Sequence, residues 1–199
     1  MKRYRELFAI ANVWVLVLAS FPARVSYGMV ALAIFFKTEQ ATGSVAVAGL
    51  AIGINSLAGA ATAGLRGSLM DRFGQKWPLR IFVPGYASMM LILNTMQDKN
   101  AILVAAFIMG ITAPPINLSV RPLWKMVVPE DCLRTAYAVD TSVMSTAGVI
   151  GPVVATSLAL SSHPGSALNV AAAFMAIGGG ALALTHISRD WVPEKKDPN

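Results

Sequence analysis

The sequence predicts an all-α membrane protein, a bundle of six transmembrane helices with both termini on the cytoplasmic side. Three observations predict it. The 199 residues are 55% hydrophobic and only 13% charged, about half the charge of an average soluble domain, and mean hydropathy is +0.60. The apolar residues fall into charge-free windows at 7–23, 40–65, 81–97, 100–120, 141–162 and 164–185, close to the roughly 20 residues that cross a hydrocarbon core. The basic residues also sort by side. With the N-terminus inside, thirteen lie in cytoplasmic segments, only Lys37 and Lys99 lie opposite, and Arg24 lies within a span. The positive-inside rule then orients the chain and accounts for the net charge of +6 without nucleic acid as a partner. The windows lack the period-two alternation of barrel strands and are too long for it.

The expected spans are 8–36, 44–66, 79–97, 100–122, 136–161 and 165–187. The first begins after Met1-Lys2-Arg3, which invites a signal-peptide reading. The apolar character resumes after Arg24 and reaches Phe36, well beyond the 7–15 residues of a signal core, so an uncleaved helix is expected. The second carries Gly49-x-x-x-Gly53 and a face of Asn55, Gly59, Thr62 and Arg66, small and polar groups suited to a helix interface. A short polar loop at Gly67–Leu79 leads to the third span. The fourth contains Pro114-Pro115, which remove backbone donors and bend it. Gly148, Gly151 and Pro152 predict a bend and a close approach in the fifth, and Gly178-Gly179-Gly180 mark the sixth.

The external connections, Lys37–Gly43, Asp98–Lys99 and Ser161–Gly165, are short, so neighbouring helices run antiparallel. The bundle occupies 1–187. Residues 188–199 read as a polar cytoplasmic tail or the start of a linker. Helices one to three and four to six permit an inverted repeat. Cys132 is placed in a cytoplasmic loop. One cysteine without a ligand cluster implies neither a disulfide nor a metal site, and nothing calls for a cofactor.

Ionisable groups inside spans are costly and mark candidate sites. Arg24 lies near the middle of the first span, with Ser20, Tyr27 and Gly28 on its face. It either meets a polar or anionic substrate in a cavity or pairs with a carboxylate or with freed carbonyls. Gly110, Pro114, Asn117 and Arg121 share a face of the fourth span. A kinked polar face lines a cavity, or else Asn117 bonds a neighbouring helix and Arg121 anchors the cytoplasmic end; on the cavity reading the candidates are Arg24, Tyr27, Asn117 and Arg121. Asp140 is the only carboxylate within the spans. Entering about one turn inside the fifth helix, it is expected to pair or share a network with Arg121. No nucleophile–base pair, phosphate loop or metal cluster appears, so an enzyme reading has no residues to stand on.

The segment Gly67-Ser68-Leu69-Met70-Asp71-Arg72-Phe73-Gly74-Gln75-Lys76-Trp77-Pro78-Leu79 resembles the signature loop between the second and third helices of the major facilitator superfamily. Gly67, Leu69, Asp71, Arg72, Gly74, Lys76 and Leu79 match it, and Gln75 stands where the family often has a basic residue. Arg24 with Tyr27-Gly28-Met29, Pro114-Pro115 with Arg121, and Ala138-Val139-Asp140 with Gly151-Pro152 extend the similarity to uncharacterised actinobacterial members. The resemblance implies the N-terminal six-helix half of a twelve-helix fold. It implies a transporter of a small solute working by alternating access. Gly67, Asp71, Arg72, Gly74 and Lys76 would form a latch that stabilises one conformational state. The helix-five antiporter signature is partial, since Ala155 and Thr156 replace its later glycines.

One half alone would expose a polar face to lipid. A second six-helix half or a homodimer partner is therefore expected, in the cell membrane and in contact with its lipid. The alternative is a non-transporting truncated protein, or a scaffold that associates with other membrane proteins.

Overall fold

The computed structural model describes residues 2–161, 163 and 165–191. Among these the chain forms α1 (Lys2–Phe8), α2 (Ala11–Thr42), α3 (Val45–Phe73), α4 (Lys76–Thr95), α5 (Lys99–Thr112), α6 (Ile116–Val127), α7 (Glu130–Ser161), α8 (Ser166–Leu184) and α9 (His186–Asp190). The described residues contain no strand. Five segments are long and apolar enough to cross a membrane: Ala11–Thr42, Val45–Phe73, Lys99–Val127 taken through its break, Glu130–Leu160 and Ser166–Leu184. The helix in the place of the expected third span, α4, is not among them. Its 20 residues include Lys76, Arg80, Pro78, Pro84 and Asn94, which dilute its Met- and Leu-rich half.

The bundle is built around α2. Its 32 residues bury Leu16, Ala23, Met29, Ala33 and Ile34, chiefly against α8 and α7, while α3 leans on α5 and α4 on α8. Two backbones nearly touch where α2 crosses α7. A Cβ on Gly28 would lie 2.8 Å from the Ala147 carbonyl oxygen, and one on Gly151 would lie 2.6 Å from the Gly28 backbone. Only glycine fits a crossing this close. The expected close approach at Gly151 thus has its partner in Gly28. In the same way Asn55 Nδ2 donates to the Ala106 carbonyl at 3.0 Å, and the expected Asn55–Gly59 face packs against α5.

Element boundaries follow local chemistry. Gly43, at φ +64°, closes α2 with its N–H on the Glu39 carbonyl. Ser44 caps α3 by accepting from Val47 N, and Asp98 caps α5 by accepting from Ala101 N at 2.8 Å.

Three expectations are corrected. The segment from Gly67 is not a loop until its end. With no breaker before Gly74, α3 runs on to Phe73, and at about 1.5 Å per residue its 29 residues span about 43 Å. The turn is confined to Gly74 and Gln75, where Gly74 takes φ +73°. Cys132 is not in a loop either. It lies in the first turn of α7 and is buried. The tail from Ser188 is not wholly free, because α9 docks and buries Ser188. The rest of the expected tail, 192–199, lies outside the described residues.

Candidate functional site

The bundle holds one buried ion pair among the described residues. Arg24 Nη2 meets Asp140 Oδ1 at 2.7 Å, with the arginine side chain 2% and the aspartate side chain 15% exposed. Arg24 Nη1 also donates to the Asp140 backbone carbonyl at 3.3 Å, while its Nε has no partner. The pair ties the middle of α2 to α7, about one turn of α2 before Gly28 and three turns of α7 before Gly151. Such a pair compensates a charge that would otherwise be very costly inside the bundle.

The expected Arg121–Asp140 pair is not formed. Glu130 starts α7 ten residues before Asp140, so Asp140 enters nearly three turns deep rather than one, level with Arg24. Arg121 lies in the middle of α6, where it is exposed and lies over the Tyr137 ring, 5.7 Å from its centroid.

A second polar group surrounds the break between α5 and α6. Pro114 and Pro115 end α5 early, and the break leaves the Ala113 carbonyl without a helical partner and the Pro114 carbonyl with only the tight-turn bond from Ile116 N at 2.8 Å. Two side chains take them. The Tyr27 hydroxyl donates to the Pro114 carbonyl, and Arg66 Nη1 donates to the Ala113 carbonyl. Arg66 also donates to the Gly59 carbonyl through Nη2 and to the Thr62 carbonyl through Nε at 3.3 Å. Tyr27 packs on Tyr86 of α4, with ring centroids 5.9 Å apart. Beside the break lies a cavity of about 210 Å³ lined by Tyr27, Ala63, Arg66 and residues 113–118, Asn117 among them.

The structure therefore divides the four cavity candidates. Tyr27 and Asn117 line one cavity, Arg24 is committed to Asp140, and Arg121 lies apart. Arg66 belongs to the cavity, although the sequence reading gave it only to an interface face and to the cytoplasmic charge count. Its signal was present. A double proline strands carbonyls, and a donor one helix away has to satisfy them if they are buried.

In the segment that resembles the latch, Asp71 and Arg72 are exposed and Lys76 is half-buried. Arg72 lies over Phe73 at 5.4 Å and Lys76 over Trp77 at 5.6 Å. Asp71 makes no ion pair among the described residues. Gln75, the departure from the family pattern, is instead the segment's anchor and is 1% exposed. Its Nε2 donates to the Ser119 carbonyl at 2.9 Å, and its Oε1 accepts from the Ser188 hydroxyl at 3.4 Å. One side chain thus joins the α3–α4 turn to α6 and α9.

The described residues thus form a bundle of apolar, membrane-length helices with a broken helix, an internal ion pair and a small, mostly apolar cavity. The profile of the Major Facilitator Superfamily matches residues 16–199, and the chain belongs to that superfamily, whose members are transporters. Searches of curated proteins and of solved structures return no match.

Proposed function

We propose that this chain forms a six-helix half of a secondary transporter that moves a small solute by alternating access. In this reading α4 is the third membrane crossing and both termini face the cytoplasm of a cell-membrane protein. A second six-helix unit, from another copy or another polypeptide, completes the pathway. The observation that carries the reading is the Arg24–Asp140 pair buried at the α2–α7 crossing, next to a helix broken by two prolines, in a chain of this superfamily. An internal charge pair beside a broken helix suits a pathway through the bundle.

The need for a second unit rests on the outer faces of α3 and α7. On α7, Thr141, Ser142, Ser145 and Thr146 are exposed. A Cβ placed at Gly49, Gly53, Gly64, Gly67 or Gly148 would meet nothing within 4 Å. Small and polar faces are those on which membrane helices associate. Asp71 and its neighbours would then act as a latch on groups that the second unit supplies.

The test is flux in liposomes containing the chain, alone and with any co-expressed second unit, across a broad panel of small solutes. Uptake or release of at least one solute, reduced at least about tenfold by Arg24→Ala, is expected. No flux of any solute under either condition would reject the transport reading.

A further inference from the structure

We propose that the cavity at the α5–α6 break binds a small organic monocarboxylate, with Arg66 as the residue that recognises its charge. The inference deepens the transport reading and rests on it for its biological meaning. It begins from a charge imbalance. Arg66 is 8% exposed, yet its partners are the neutral carbonyls of Gly59, Thr62 and Ala113. No carboxylate of the described residues lies within ion-pair distance of it. The other buried arginine, Arg24, has Asp140. A guanidinium removed from water calls for an anion, because carbonyl dipoles solvate it without neutralising it.

Arg66 lines the cavity and keeps donors that its carbonyl partners do not use. A guanidinium carries five N–H groups, and the three carbonyl bonds use one on each nitrogen. One N–H therefore remains on each terminal nitrogen, two charge-assisted donors for an anionic oxygen. Across the cavity, α6 starts at Ile116 and runs for 12 residues. Asn117 and Leu118 of its first turn line the wall, so the positive end of the helix adds to the same field.

The remaining lining sets the size and the rest of the chemistry. A volume of about 210 Å³ is below the range of drug-sized sites. The walls are Ala63, Pro114, Pro115, Ile116 and Leu118, with Tyr27 and Asn117 as the neutral polar groups. One cation in the lining matches one negative charge, and apolar walls match an apolar body. A dianion such as phosphate would leave a charge unmatched.

The experiment uses the purified full chain in lipid nanodiscs and matched pairs of probes: acetate against acetamide, butyrate against butyramide, and benzoate against benzamide. Binding is read by calorimetry and by the shift in thermal unfolding. At least one acid should bind at least about tenfold more tightly than its amide. Arg66→Gln should remove that preference. Arg66→Gln also strips the break of a donor, so Ala63→Leu provides the second test. It fills the cavity with Arg66 and its carbonyl partners in place, and it should abolish acid binding.

Equal binding of acids and amides, no binding of any acid, or acid binding unchanged in Ala63→Leu would each overturn the site. Because binding is measured without flux, the two readings fail separately. Flux without acid selectivity removes this site and keeps the transporter, while acid binding without flux does the reverse.

Discussion

Arg24 and Asp140 fasten the middle of α2 to α7, and their burial makes them unequal to an ordinary surface pair. Asp140→Asn leaves Arg24 charged and without a counter-ion in a site where its side chain is 2% exposed. A loss of about 3–5 kcal/mol is expected, read as a lower unfolding midpoint in nanodiscs. The double variant Arg24→Met/Asp140→Leu removes both charges and should recover most of that loss. If the double variant is as unstable as the single one, the pair is a packing contact rather than an electrostatic one. Arg121→Gln removes only an exposed contact over Tyr137 and should change stability by less than about 1 kcal/mol. The sequence showed that Asp140 needed a basic partner. It did not show which, because the choice turned on where α7 begins. Proximity along the chain favoured Arg121, and nearly two turns of extra helix at the start of α7 gave Asp140 to Arg24.

At the scale of elements, the α3–α4 turn is held from inside by Gln75. Gln75→Leu keeps the volume but leaves the Ser119 carbonyl and the Ser188 hydroxyl without their present partner. It is expected to cost about 1–3 kcal/mol and to speed amide exchange in α9, with α8 unchanged. Uniform protection across α8 and α9 in the variant would show that Gln75 is not what docks the terminal helix. The same elements mark what could be read in advance. The apolar windows located the helices because a membrane imposes length and composition directly, and Pro114-Pro115 located the break because proline chemistry is local. The reach of α3 to Phe73 was hidden, since Gly67–Arg72 is polar and a helix leaving the hydrocarbon keeps its hydrogen bonds whatever its side chains. The docking of α9 was hidden as well. It depends on one glutamine meeting one serine 113 positions away, and no periodicity encodes that.

The whole molecule has two kinds of glycine, and they separate folding from assembly. Gly151 is enclosed, and any side chain there would meet the Gly28 backbone at 2.6 Å. Gly148, one turn earlier on α7, faces open space within this chain and is exposed. Gly151→Leu should force α2 and α7 apart, break the Arg24–Asp140 geometry and lower both folded yield and stability, because an over-packed helix crossing costs about 1–3 kcal/mol or more. Gly148→Leu should leave the folded chain as stable as the parent, since there is room for the side chain and leucine favours helix over glycine by roughly 0.5–1 kcal/mol. If the outer face of α7 packs against a second six-helix unit, that same leucine obstructs close approach. Cross-linking and native mass measurements in membranes should then show loss of the associated species, and flux should fall with it. A Gly148→Leu protein that still assembles and still transports would place the second unit on another face, leaving α3 with its open Gly49, Gly53 and Gly64 as the surface to substitute next.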